Sequence, residues 1–321
     1  MNIFPGSLLL LLILVLKRPW IASASLGNSF PTYKTCVEIC RMDLCDKAGY
    51  YYSKRDLIPL PLLLLWKCSD DCQYRCMWGV VRLFENKGWP SPQFHGKWPF
   101  IRFLGVQEPA SALFSIMNCC MHIKMMVSWL KKYESNVPMF KIWICYGLIS
   151  INGWLWSTIF HTRDTPFTEL MDYLSAFAIV FSGAYAMGMR ILIGARKRYS
   201  VIYTVVCFLF FFNHALYLSS GPFDYGYNLF ANVFVGVLSA ALSGILLLKN
   251  RHLPHCKNLF IAVFALLCCM YFEIHDFPPY MWVLDAHALW HLCTCPAIYF
   301  FWRFVIDDTR YLQRTQTYNK L

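Results

Sequence analysis

Beyond residue 107 the chain falls into long apolar runs broken by short polar stretches. Seven runs, at residues 109–130, 139–161, 167–189, 200–220, 226–248, 258–275 and 284–305, approach or exceed the ~20 residues a helix needs to cross a bilayer. The pattern predicts an all-α membrane protein with seven transmembrane helices over 108–306 and a short tail over 307–321. No stretch between the runs has the length of a soluble domain. Before residue 108 the pattern changes. An apolar core from Leu8 to Leu16 is too short to span and is followed by Ala22, Ser23, Ala24 and Ser25, which suits a cleaved signal peptide over 1–25. Lys17 and Arg18 follow that core and no basic residue precedes it, which leaves a retained signal anchor as the alternative. Residues 26–107 read as a separate head. Within it, Leu57–Trp66 is apolar but short and carries Pro59 and Pro61, so it reads as head core or as an interfacial segment. The stretch PSPQFHGKWPF, Pro90 to Phe100, reads as an aromatic collar at headgroup level.

Composition agrees with a membrane protein. Charged residues make up 15% of the chain, against about 25% in soluble proteins. A net charge of +11 in a soluble chain would point to nucleic acid or an acidic partner. Here the basic residues sit between apolar runs and read as topology determinants. Lys131, Lys132, Arg190, Arg196, Lys197, Arg198, Lys249, Arg251, Lys257, Arg310, Arg314 and Lys320 all fall on one side of a seven-span topology. The other side holds Arg163 with Asp164, Asp224 and Asp276. The basic side is therefore expected to face the cytosol, with the head outside it.

The fifteen cysteines divide accordingly. Cys36, Cys40, Cys45, Cys68, Cys72 and Cys76 crowd the head, an even number in a segment expected to enter an oxidising compartment. Three disulfides are expected, and their pairing stays open among the fifteen arrangements that six cysteines allow. Zinc is the weaker reading, since no histidine interleaves them. The other nine lie in or beside apolar runs and read as small buried hydrophobes. No Asn-x-Ser/Thr sequon occurs.

Ionisable residues inside membrane spans are costly and mark functional sites. The second span ends with Ser157 and His161 at i and i+4, on one helix face. The seventh begins with His287 and His291, again at i and i+4, a spacing at which two imidazoles chelate one metal ion. Asp172 stands in the first turns of the third span. By the expected topology all five lie at the non-cytosolic ends of their helices. Three histidines with an open position form the ligand set of a catalytic zinc centre, in which Asp172 would hold or deprotonate a water and Ser157 would hydrogen-bond the metal-bound oxygen or the developing oxyanion. The implied chemistry is hydrolysis of an ester or amide in a lipid. A lone intramembrane histidine usually bonds a neighbouring helix; a second and a third at matching depth shift the balance towards metal. His214 reads as a packing contact, and His122 and Lys124 lie far from the site. Glu273, His275 and Asp276 read as support for the ligands or as solvated, Asp285 as a helix cap or an imidazole partner, and His252 and His255 as loop residues.

The stretches CSDDCQYRCMW, PQFHGKWPF, QEPAS, STIFHTRDT, FDYGYN and DFPPYMWVLDAHALWH together resemble the Per1-like family, the post-GPI-attachment phospholipases that remodel glycosylphosphatidylinositol (GPI) anchors. That family is similar to a wider group that includes alkaline ceramidases and adiponectin-receptor-like proteins. Their shared pattern falls here on Ser157, His161, Asp172, His287 and His291. The resemblance implies zinc on the three histidines, Asp172 and Ser157 at its water, and removal of the sn-2 acyl chain from GPI-anchored proteins or GPI lipid in the Golgi membrane, with the ER membrane as the alternative. Rival readings are a ceramidase-like amide hydrolase, a seven-helix receptor with a structural zinc, and a metal transporter. A transporter would need polar residues along a whole path, whereas these cluster at one end.

Overall fold

The computed structural model describes residues 26–52 and 66–318. The expected signal peptide and most of the Leu57–Trp66 run lie outside the described residues. The chain divides into two compact units, one of Met1–Gln107 with Ile274–Ala286 and one of Glu108–Glu273 with His287–Leu321.

The first unit is built on a pair of helices, α2 (Pro31–Leu44) and α3 (Cys68–Asn86), preceded by the single turn α1 (Leu26–Ser29). Pro31 starts α2 at a position where a missing N–H costs nothing. Three disulfides join the pair: Cys36–Cys76, Cys40–Cys72 and Cys45–Cys68. As one partner number rises the other falls, so the helices run antiparallel, with rungs about one helical turn apart. Tyr33, Val37, Val80, Val81, Phe84 and Phe94 fill the space beside the rungs. Burial pushes the Tyr33 phenol up to about 12. The Tyr51 phenol is likewise pushed up to about 12, by burial and by its hydrogen bond to Asp71. Asp71 also pairs with Arg102 at 2.8 Å, and the Arg102 guanidinium lies between the rings of Trp66 and Tyr74, 3.5 and 4.3 Å from their centroids. In the collar, Phe94 and Lys97 exchange backbone hydrogen bonds, and Asp276 accepts from Trp98 Nε1 at 2.6 Å and Gln93 Nε2 at 3.0 Å. Asp276 is thereby engaged in organising the head.

Opening the middle rung with Cys40→Ser and Cys72→Ser is expected to cost the head about 2–5 kcal/mol. Hydrogen exchange at α2 and α3 should accelerate together. Unchanged protection of both helices would show that the apolar contacts suffice without it.

The second unit carries seven helices long and apolar enough to cross a membrane: α4 (Pro109–Leu130), α5 (Phe140–Thr162), α6 (Pro166–Ile191), α7 (Lys197–Ser219), α8 (Tyr225–Lys249), α9 (Cys256–Ile274) and α10 (Ala286–Tyr318). The protein is a multi-pass membrane protein, and no strand occurs among the described residues. Pro109 and Pro166 start their helices, and the Thr165 and Thr168 side chains cap α6 reciprocally. Asp224 caps α8 by accepting from Tyr227 N at 2.9 Å, which holds its carboxyl below the usual range. Trp129, Trp143 and Trp302, from α4, α5 and α10, are fully buried at the centre of the core. In contrast, α7 leaves Val205, Val206, Phe208, Leu209 and Phe212 exposed, the outward face expected of a helix at the bundle edge. The last helix runs on well past residue 305, because Ile306, Asp308, Thr309 and Leu312 continue its buried face. Of the nine free cysteines, Cys119, Cys256, Cys269 and Cys295 are buried, whereas Cys120, Cys145 and Cys268 are exposed on outer helix faces.

Candidate metal centre

The i,i+4 spacings place Ser157 and His161 in the last turns of α5, and His287 and His291 in the first turns of α10. The three imidazoles converge. His291 Nε2 lies 3.2 Å from His161 Nε2 and 3.0 Å from His287 Nε2. One ligand atom from each of the three falls within 4.8 Å of the others. His161 and His291 are buried, and His287 is partly exposed.

Two carboxylates fix the rings from behind. His161 Nδ1 donates to Glu108 Oε2 at 2.7 Å, and Glu108 N donates to the His161 carbonyl at 2.9 Å, so the two residues are tied twice. His287 Nδ1 donates to Glu273 Oε2 at 3.1 Å. An ionised carboxylate only accepts, so these contacts place the proton on Nδ1 and leave a lone pair on Nε2. His161 and His287 therefore point lone pairs at the same place as His291 Nε2. A proton on His291 Nε2 satisfies at most one of them. A cation between the nitrogens satisfies all three. With metal–nitrogen bonds of about 2.0–2.1 Å, tetrahedral ligand nitrogens stand about 3.3 Å apart, close to the spacing observed. The residues thus fit a divalent metal, and carboxylate–histidine pairs of this kind set ligand tautomer and orientation.

The backbone beneath His291 is equally constrained. Asn118 Nδ2 donates to its carbonyl at 2.7 Å, and Thr294 Oγ1 lies 3.2 Å from Asn118 Oδ1. Trp154 and Trp290 pack edge-on to its ring at centroid distances of 5.3 and 5.0 Å. The buried His291 Nδ1 makes no hydrogen bond among the described residues.

Ser157 is buried one turn below His161, its Oγ 3.0 Å from Ser115 Oγ. Ser115 spends its proton on the Ser111 carbonyl at 2.8 Å, so Ser157 is the donor between them. Asp172 lies half-buried in the second turn of α6 and is not a member of the cluster of ligand atoms. His214 is buried and stacks on Phe177 with centroids 3.7 Å apart, a packing role. His122 accepts from Trp302 Nε1 at 3.1 Å within the core.

Glu108 was not among the expected site residues. Its only local sign is a carboxylate directly before the proline that starts the first span, and its partner is 53 residues away. Glu108→Gln is expected to weaken metal binding about 10–100-fold, as loss of such partners does. Titrating purified protein against a competing chelator would measure it. Unaltered affinity would show that the carboxylate does not orient the ligand.

Residues 60–309 match the Per1-like family. The chain belongs to the Per1-like family. The GPI-specific phospholipase A2-like PGAP3 of Danio rerio is 40% identical over 296 residues, covering 92% of this chain and 94% of the relative. The Homo sapiens protein of the same name is 39% identical over 303 residues, 94% of each. The Drosophila melanogaster post-GPI attachment to proteins factor 3 is 37% identical over 284 residues, 85% of this chain and 86% of the relative. No solved structure matches. The Per1-like match takes in both the α3 cysteines of the head and all three histidines.

Proposed function

We propose that this chain is a zinc-dependent acyl-ester hydrolase that removes the sn-2 fatty acid of GPI anchors, acting on GPI-anchored proteins or GPI lipid. The observation that carries this reading is the convergence of three imidazole Nε2 atoms backed by two carboxylates. Relatives named GPI-specific phospholipase A2-like support the substrate class.

His161, His287 and His291 would hold the zinc, for which three imidazole nitrogens are a suitable donor set. Zinc bound there supplies a Lewis acid and brings the acidity of a water close to neutral pH. Asp172 accepts the proton of the attacking water and passes it to the departing glycerol oxygen. The water oxygen bonds to the acyl carbon, the ester C–O bond breaks, and the products are a free fatty acid and a lyso-lipid. Ser157, released from Ser115, donates to the carbonyl oxygen as charge develops on it. Trp154 and Trp290 limit water access on one side of His291.

The charge asymmetry of the loops supports a luminal head and a cytosolic C-terminus, an orientation in which the centre would lie in the luminal leaflet. With the family resemblance it supports residence in the Golgi membrane. The test is full-length purified protein with defined GPI lipid, with ceramide as the amide control. Fatty acid and lyso-lipid should appear in equal amounts, stop with chelator and return with zinc. Cleavage of ceramide alone would replace this reading with an amide hydrolase. Retained metal without turnover of either lipid would favour a receptor.

A further inference from the structure

The helix that begins with the metal-ligand pair ends beside a second polar site. A cavity of about 620 Å³ opens between the loop before α9 and the later turns of α10. From His291 to Arg310 is 19 residues of continuous helix, about 28 Å at 1.5 Å per residue. The basic end of the cavity therefore lies roughly a hydrocarbon thickness from the histidines.

Its wall follows from helical periodicity. Arg303, Asp307, Arg310 and Arg314 recur at spacings of three or four residues, which puts them on one face of α10. Lys257, at the start of α9, lines the same cavity. Four cations thus line the cavity with one carboxylate, Asp307, which lies 3.9 Å from Arg303. The nearby Asp308 contributes no free negative charge. Arg190 holds both its oxygens, at 2.6 and 2.9 Å, and His255 adds a contact at 3.2 Å. The basic wall is left with a surplus of positive charge. At the end nearer the span centre the lining turns apolar and aromatic, with Tyr299 and Phe300. A polycationic pocket that grades into an apolar wall at the end of a span matches an anionic lipid. The phosphate would meet the arginines while the acyl chains follow the aromatic end.

The structure assigns this cavity as a binding site for the phosphate headgroup of an anionic phospholipid, at the end of the bundle remote from the metal centre. The positive-inside rule explains basic residues in this region. It does not explain a concave site of this volume with three arginines on one helix face and a neutralised aspartate behind them.

The test is binding, so it stands apart from any turnover at the histidines. Full-length protein in phosphatidylcholine nanodiscs is titrated with a fluorescent short-chain phosphatidylinositol monophosphate. Saturable binding is expected. Arg310→Gln with Arg314→Gln should weaken it about 30-fold, from about fivefold for each basic side chain near a membrane surface. Asp307→Asn should tighten binding severalfold, a gain that misfolding cannot imitate. Equal affinity in the wild type and the double variant would overturn the assignment, as would an Asp307→Asn variant that fails to gain. Full displacement of the probe by inorganic phosphate at millimolar concentration would also overturn it, showing a site for soluble anions.

Discussion

His291→Ala is expected to yield protein without bound metal and with GPI acyl release lowered at least about a thousandfold. That size follows from losing the Lewis acid and the acidified water together, each contributing several kcal/mol to the transition state. In the proposed centre His291 would be the pivotal ligand. It lies 3.2 Å from one partner nitrogen and 3.0 Å from the other, and its ring is buried beneath Trp154 and Trp290. Its backbone bond from Asn118 does not need the side chain, and alanine suits a helix, so α10 should persist. His287→Ala should be milder in metal loss, because His287 is the more exposed ligand and its removal leaves two buried nitrogens in place. Elemental analysis beside an acyl-release assay separates the two effects. A His291→Ala protein that kept stoichiometric metal would rule out the triad as the ligand set.

Asp172→Asn is expected to do the opposite with respect to the metal. Metal content should stay near that of the wild type while turnover falls about 10²–10⁴-fold, the range for loss of a positioned general base. The distinction rests on placement: Asp172 sits on α6, outside the cluster of three nitrogens, so its removal takes away no ligand. Asparagine keeps the shape of the side chain and loses only the ability to take a proton. Ser157→Ala should cost about 10²–10³-fold, as removal of one oxyanion donor does. Loss of metal from Asp172→Asn would move this residue from acid–base work to coordination.

The seven helices were legible because each needs a long apolar run, a signal carried by neighbours in sequence. The i,i+4 pairs were legible for the same reason, since Ser157 with His161 and His287 with His291 are set by the period of one helix. Three head disulfides could be expected from six crowded cysteines. Their order could not, because pairing depends on how α2 lies against α3. Glu108 escaped notice because nothing near it indicates which distant side chain it meets. Glu273 and Asp276 read alike from sequence. Glu273 backs a histidine while Asp276 binds Trp98 and Gln93, a difference decided where α9 ends. The free cysteines differ from expectation because an apolar run names a helix but not its inward face, and Cys120, Cys145 and Cys268 fall on the outer one.

The antiparallel ladder of the head also bears on biosynthesis. The innermost bridge, Cys45–Cys68, closes the shortest loop, with a sequence separation of 23, against 32 and 40 for the others. Loop closure favours the shorter separation, though only slightly. Once that bridge is made, each helix carries its next cysteine to within about a turn of the matching one. The ladder thus favours closure outward from that bridge, because each correct bridge reduces the partners left for the next. In an oxidising environment, helical register would thus help to sort the six thiols among their partners.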